Sequence, residues 1–179
     1  AKADAVNSMV RELRQSYLPQ SVYFATYSSF AAMSEYLLQK GDYYTGADAD
    51  LIFNITIKEM ILNGTMCCGI LPGPPACNDA LLSDVNDPSK HRGVDDCLGK
   101  EMMKDRNLTK RLNDIENASL NTYKLRTRFN RNYNSMNLII FQNNLTGPFR
   151  IGANLKVNYS VIAGDVMINN TENISVMFG

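Results

Sequence analysis

The sequence contains no tryptophan, a single histidine and no excess of charge of either sign, and these shortages narrow its possible functions. Its 18 basic residues balance its 18 acidic residues, so binding to nucleic acid would release few counterions, and we exclude nucleic acid as a partner. No run approaches the roughly 20 apolar residues that a membrane helix requires. The chain also lacks the basic start and apolar run of a signal peptide.

Recognisable catalytic motifs are also missing. His91 lies in a polar loop, where an isolated histidine is typically a solvated side chain. There is no Gly-x-Ser-x-Gly, no phosphate-binding glycine run and no His-Glu-x-x-His. The acidic residues lack the spacing of a calcium loop or of a glycosidase acid pair, so a secreted hydrolase is the least favoured function. The sequence therefore predicts a protein that is not an enzyme and that uses no cofactor.

Eight Asn-x-Ser/Thr triplets (sequons), none with a central proline, are the most informative feature that is present. A sequon accepts an N-linked sugar only in a chain that has crossed a membrane. The alternative is an asparagine-rich chain that uses these residues in turns and caps, although the first 50 residues contain no sequon. The sequons predict an extracellular or cell-surface protein, from which an N-terminal signal or anchor has been removed. Its predicted glycosylation sites are Asn54, Asn63, Asn107, Asn117, Asn144, Asn158, Asn169 and Asn173.

Four cysteines, Cys67, Cys68, Cys77 and Cys97, point to the same compartment. An even number of cysteines in an oxidising environment predicts two disulfides, each worth roughly 2–4 kcal/mol. Because a bond between two adjacent cysteines closes a strained ring, we expect one of the neighbours to join Cys77 and the other to join Cys97. The alternative is a zinc site, but the spacing lacks the paired Cys-x2-Cys pattern, so no metal is predicted.

The spacing of apolar residues predicts helices in the first two thirds of the chain. Residues 3–17 form one helix, which Pro19 is expected to break or kink before a second helix capped by Ser21, unless the two form one kinked rod. The segment 48–63 mixes helix and strand signals. We favour helix, because Asp48 or Asp50 can cap its start and Asn63-Gly64 can end it in a left-handed turn. One face of the second helix is predicted to be buried; it contains Tyr23, Tyr27, Phe30, Ala31, Ser34 and Leu37.

The last third of the chain changes to a period of two. Residues 149–161 alternate apolar and polar side chains, which places Asn158 on the wet face of a strand. With neighbours at 135–142 and 173–178, this strand predicts an antiparallel meander of about three strands. The predicted fold class is α+β, with N-terminal helices packed on a small C-terminal antiparallel sheet. We expect one extracellular domain (1–179) with these parts: a helical stem (1–40), a helix (48–63), a disulfide-stapled, cysteine-bearing loop region (64–98), a helix (107–130) and the sheet (135–178).

Several short segments occur in a characteristic order over nearly the whole chain: Tyr27–Leu38, Asn63-Gly64-Thr65 before the cysteine-bearing loop, Asn107-Leu108-Thr109, Phe141-Gln142 followed by Gly147-Pro148-Phe149, Val157–Ser160 and Ile174–Gly179. In this order they resemble a family of archaeal secreted, membrane-anchored proteins of type IV pilin-like build. The resemblance implies a membrane helix preceding Ala1, a helical stem and an antiparallel sheet outside the cell. It also implies other cell-surface or pilus proteins as partners.

Two functions follow from these patterns. The favoured hypothesis is a non-enzymatic surface domain, structural or adhesive, that carries N-linked glycans and touches the membrane only through its N-terminal anchor. The alternative is an extracytoplasmic sensor domain whose paired N-terminal helices transmit ligand binding to a membrane helix. A deep pocket lined by strand residues and by Tyr23, Tyr27, Tyr43 or Tyr44 would favour the sensor.

Overall fold

The computed structural model describes residues 1–40, 49–64, 103–131, 136–142 and 150–178. These residues form two compact units, one made of Ala1–Phe24 and Thr109–Gly179 and the other of Ala25–Leu108. The described elements are helices followed by an antiparallel sheet, so the predicted α+β class is confirmed. All four cysteines and Asn144 lie outside the described residues, and so do Tyr43, Tyr44 and His91.

The N-terminal helix does not break at Pro19. Helix α1 spans Lys2–Glu12 and is followed by a π-helical turn at Leu13–Tyr17 and by helix α2 at Leu18–Lys40. Proline lacks an amide hydrogen and its ring displaces the carbonyl four residues earlier. The wider π-helical turn accommodates this change, with the amide of Leu18 donating to the carbonyl of Leu13. The prediction of a break with a cap at Ser21 is therefore wrong, and the alternative that the two helices form one rod is correct.

Helix α3 spans Ala49–Asn63, and helix α4 spans Leu108–Tyr123. Helix α4 ends earlier than predicted. Lys124 adopts a left-handed conformation (φ 57°), and the amide of Leu125 donates to the carbonyl of Ser119 at 3.1 Å. This turn reverses the chain into strand β1, Arg126–Phe129, which lies inside the range predicted as helix. β1 forms because its alternate residues Thr127 and Phe129 are buried, a tertiary contact that overrides the helical pattern before it.

The sheet is built around one central strand, β3 (Ile151–Ala163). Strand β3 pairs antiparallel along its full length with β4 (Val166–Phe178). Its other edge pairs with β2 (Ile139–Gln142) near its start and with β1 near its end. The predicted meander is therefore present in β2, β3 and β4, and β1 makes a fourth strand that sequence periodicity did not indicate.

One face of the sheet is covered and the other is open to solvent. The inner face carries Leu155, Val157 and Val161 from β3, with Ile174 and Val176 from β4, and all five are buried. Helix α1 contacts both of these strands. The alternation predicted for 149–161 is confirmed for the described residues 151–161, because the polar residues of this strand lie on the outer face.

The second unit contains the greater part of α2, the helix α3 (Ala49–Asn63) and the residues that lead into α4. The helix predicted for 48–63 is thus confirmed. Gly64 ends it with a left-handed φ of 71°, and its amide donates to the carbonyl of Met60 at 2.9 Å. The core of this unit contains the buried side chains of Met33, Ile57, Met60, Ile61 and Met103.

The aromatic face of α2 is not the buried face. Tyr23 and Tyr27 are 44% and 54% exposed, whereas Ala25, Ser29 and Ala32 are fully buried. The hydroxyl of Ser29 donates to the carbonyl of Ala25 at 2.7 Å, so this polar side chain is satisfied inside the core. Small side chains allow neighbouring backbone to approach closely, and the prediction from hydrophobicity alone was wrong here. In the described part of the chain, no helix has the length and apolar character needed to cross a membrane.

Candidate functional site

Seven of the eight predicted glycosylation sites are described, and they differ in accessibility. Asn54 and Asn63 lie half-buried on α3, and Asn117 is exposed on α4. Asn107 is only 8% exposed, and its side-chain amide donates to the carbonyls of Met103 at 2.9 Å and Lys104 at 3.3 Å. N-glycosylation uses this same nitrogen, so a sugar on Asn107 is incompatible with the observed packing.

The remaining three sequons lie together on the outer face of the sheet. Asn158 belongs to β3, and Asn169 and Asn173 belong to β4. In an extended strand, residues two apart point to the same side, so each asparagine shares its side with the hydroxyl of its own sequon. We call this surface the sequon face; it contains Asn158, Ser160, Asn169, Thr171, Asn173 and Ser175.

Two of these sequons interlock across the strands. Asn158 pairs with Thr171, and Ser160 pairs with Asn169, so each asparagine faces the hydroxyl residue of the other sequon. The hydroxyl of Thr171 donates to Oδ1 of Asn158 at 2.6 Å. This bond links the two sequons across the strands.

The charged side chains that the described strands place on the outer face are all basic. Arg126 and Arg128 on β1 pair with β3 residues of the outer face, and Lys156 lies on that face in β3. Among the described strand residues, the acidic Glu172 lies on the inner face. The outer face therefore attracts anionic groups.

An open pocket with a volume of about 710 Å³ adjoins the interlocked sequons. Its lining comes from three strands and consists of Arg128, Phe129, Asn130, Asn158, Tyr159, Ser160, Asn169, Asn170 and Thr171. Amides, hydroxyls and one guanidinium can hydrogen-bond a sugar or an anion in several orientations. These lining residues include no carboxylate, histidine or cysteine to transfer a proton near neutral pH.

A polar cluster lies on the inner face of the sheet, behind this pocket. Nε of Arg14, in the π-helical turn, donates to the two carboxylate oxygens of Glu172 at 3.0 and 3.2 Å. The hydroxyl of Tyr159 and the amide of Asn170 donate to Oε1 of Glu172 at 3.1 and 2.8 Å. The carboxylate is thus buried with a cation and two further donors, which satisfies the main requirement for placing a charge inside a protein. The cluster fixes the N-terminal helix on β4.

The sequence pattern did not predict this cluster, because the predicted strand began at residue 173. The strand β4 in fact begins at Val166. The residues that it directs to the inner face are Val166, Ile168, Asn170, Glu172, Ile174 and Val176. Asn170 and Glu172 are the two polar residues in this otherwise apolar set, and together they would have indicated a buried polar site. Arg14 carried no such signal, because it is separated from Glu172 by 158 positions.

Burial raises the pKa of Tyr159 to about 12, and the negative charge of Glu172 adds to the increase. A tyrosine in an unfolded chain ionises near pH 10. Below pH 10 the hydroxyl is protonated in both states; as the pH rises from about 10 to 12, the unfolded state ionises first and stability falls. We expect the wild-type protein to lose on the order of 2 kcal/mol more than Tyr159→Phe across this range. Urea unfolding at pH 9.5 and 11.5 measures the difference, and equal losses in both proteins would contradict the prediction.

A second open pocket, of about 570 Å³, is formed within the first unit by the start of α2, by α4 and by the end of β4. Tyr23 and Phe24 line it together with Arg111, whose guanidinium lies 4.9 Å from the centre of the Phe24 ring. The ring of Tyr23 packs edge-on against Phe178 at 6.1 Å. This pocket combines aromatic walls with one cation, so it suits a small apolar ligand with a negative group.

Comparison of the chain with protein-family models, with curated proteins and with solved structures finds no match at a significant level.

Proposed function

We propose that this chain is a non-enzymatic extracellular domain of a glycosylated surface protein, with a structural or adhesive role. The observation that carries the proposal is the sequon face. Asn158, Asn169 and Asn173 lie on the solvent-facing side of the sheet, each beside the hydroxyl residue that its sequon requires. Sugars attached there would cover one side of the domain and leave the helical side for packing. The resemblance adds the expectation of an N-terminal anchor of pilin-like type.

The positions of these asparagines favour a surface that presents sugars to solvent over the alternative, in which asparagine serves in turns and helix caps. Asn158, Asn169 and Asn173 lie in the middle of long strands, where asparagine is unfavourable. None of the three ends a helix or occupies the turn between β3 and β4, which Gly164 and Asp165 form. A residue that is locally unfavourable and exposed is explained by what it presents to solvent.

The test is glycopeptide mapping of the protein purified from its native host, combined with its intact mass. We expect sugars on Asn169 and Asn173, and on Asn117, whose side chain is exposed. Asn107 is expected to be bare, because its amide nitrogen is bonded to two backbone carbonyls. A mass equal to that of the bare polypeptide would overturn the proposal. Sugar on Asn107 with the fold intact would contradict the reasoning about accessibility.

A ligand-binding sensor is the second candidate, favoured by the pocket at Tyr23 and Arg111. A ligand that binds the folded state raises the melting temperature by an amount that grows with the logarithm of its concentration relative to the dissociation constant. A screen of small aromatic carboxylates against the wild-type protein and Arg111→Gln would identify this function. Stabilisation of the wild-type protein alone would support it, and no response to any compound would count against it.

A further inference from the structure

In the part of the chain that the structure describes, strand β4 forms an edge of the sheet and lacks most of the features that usually protect an edge. Among the described residues, β4 pairs with β3 alone. Its 13 residues contain no proline, lysine or arginine, and its one charged side chain, Glu172, is turned to the inner face. The pairing with β3 continues from Val166 to Phe178 without a skipped residue, so β4 contains no bulge. Natural edge strands normally use edge charges, proline, a bulge or an inward-pointing charge to prevent pairing with another chain. Of these, β4 has only the inward-pointing Glu172, whose charge Arg14 compensates.

A backbone hydrogen bond on the far side of β3 shows which β4 residues face outward. The amide of Asn130 donates to the carbonyl of Asn158 at 2.8 Å, so Asn158 directs its backbone groups toward β1. In an antiparallel pair, hydrogen-bonded and non-hydrogen-bonded positions alternate. Thr171, opposite Asn158, therefore directs its amide and carbonyl away from β3. The same is true of every second residue of β4, namely Met167, Asn169, Thr171, Asn173, Ser175 and Met177.

The asparagines of the two β4 sequons therefore lie at positions whose backbone amide and carbonyl point away from β3. A strand added at this edge would lie about 4.8 Å away and would place side chains about 5 Å from those of Asn169 and Asn173. A sugar on either asparagine would occupy that space. Glycosylation at these two positions can therefore provide the protection that charge, proline or a bulge provides elsewhere.

We propose that N-linked glycans on Asn169 and Asn173 shield the edge of β4, and that without them this edge pairs with β4 of a second copy of the chain. The inference rests on the proposed glycosylation of the sequon face. A second copy fits the edge because the outward-facing side chains are uncharged, so two such edges do not repel. Antiparallel pairing of β4 with itself also satisfies a two-fold axis, which closes the assembly as a dimer.

The experiment compares four glycoproteins secreted from a host that attaches N-linked sugars: wild type, Asn169→Gln with Asn173→Gln, the same two positions changed to Lys, and Asn117→Gln. Light scattering after size exclusion gives the polypeptide mass over a range of concentrations. We expect the double Gln variant to show about twice the monomer mass, as a two-fold dimer requires. The wild-type protein and Asn117→Gln, which loses a sugar on α4 only, are expected to remain monomeric.

The double Lys variant separates edge pairing from misfolding. It loses the same sugars but places charges on the edge, which disfavours strand addition, so we expect a monomer. Amide exchange adds a positional readout, because dimerisation should slow exchange at Thr171 and Ser175. A monomeric double Gln variant derived from a wild type that carries both sugars overturns the edge inference and leaves the proposed function standing. Bare Asn169 and Asn173 in a monomeric wild type overturn both.

Discussion

Replacing Arg14 by alanine is expected to lower the free energy of unfolding by about 3 kcal/mol, because it leaves the buried carboxylate of Glu172 without its cation. Glu172 is only 9% exposed, and Arg14 supplies two of its contacts. Removing one member of a buried ion pair typically costs about 3–5 kcal/mol. We expect the lower end of that range, since the Arg14 side chain is itself half-exposed and its removal admits water.

A double-mutant cycle tests whether the loss comes from the charge. Glu172→Gln keeps an acceptor for Tyr159 and Asn170 but removes the negative charge, so Arg14→Ala should cost much less in that background. Arg11→Ala is the matched control, because Arg11 is exposed in the last turn of α1. Urea unfolding followed by far-ultraviolet circular dichroism measures each variant, since the chain has no tryptophan. Equal losses for Arg14→Ala in both backgrounds would show that packing, and not charge, is responsible.

Gly64→Ala is expected to destabilise the second unit by about 3 kcal/mol. A left-handed conformation costs an L-residue about 1–2 kcal/mol, and Gly64 has a φ of 71°. A Cβ at this position would also lie 2.9 Å from the side-chain nitrogen of Asn107 and 3.0 Å from the carbonyl oxygen of Met103. These atoms are bonded to each other, so neither can move without breaking that bond.

Gly164→Ala is the matched control for this prediction. Gly164 is also left-handed (φ 63°), but the nearest atom to its Cβ would be the ammonium of Lys2, at the end of a long exposed side chain. That side chain can move aside, so the cost should be near the 1–2 kcal/mol of the backbone alone. Amide exchange of Met60 and Gly64, and of residues near the turn of Gly164, measures each local stability. The same loss at both glycines would show that the contact with Asn107 contributes nothing.

The parts of the fold that were predicted correctly are those in which local pattern and burial agree. The alternation predicted over 149–161 identified β3 and its two faces, because a strand with one covered face carries an apolar side chain at every second residue. The Asn63-Gly64 pair identified the end of α3, since glycine adopts the left-handed turn without strain. The helix over 48–63 was correctly preferred to a strand for the same reason.

The predictions that were wrong concern segments whose local sequence pattern is compatible with two different structures. The helical spacing before Tyr123 continues into Leu125, yet the chain turns at Lys124 and β1 forms because it completes the sheet beside β3. The aromatic side chains of α2 form a stripe, but the stripe of small residues is buried instead. The hydrophobicity of the side chains does not by itself determine which face of a helix packs most closely against a neighbouring element. The predicted disulfides lie outside the described residues and remain predictions.

The sequence by itself determined that the last third forms strands and that each sequon of β3 and β4 has its asparagine and hydroxyl on one side, because a period of two is a property of the extended chain. Only the tertiary structure decided that Asn158 lies against Thr171, that Arg14 reaches Glu172, and that the sequons of β4 lie along an edge. These contacts depend on strand register and on the position of a helix distant in sequence. Strand register and helix position are both set by the packing of the whole unit. A register shift of one residue would move every side chain of a strand to the opposite face of the sheet.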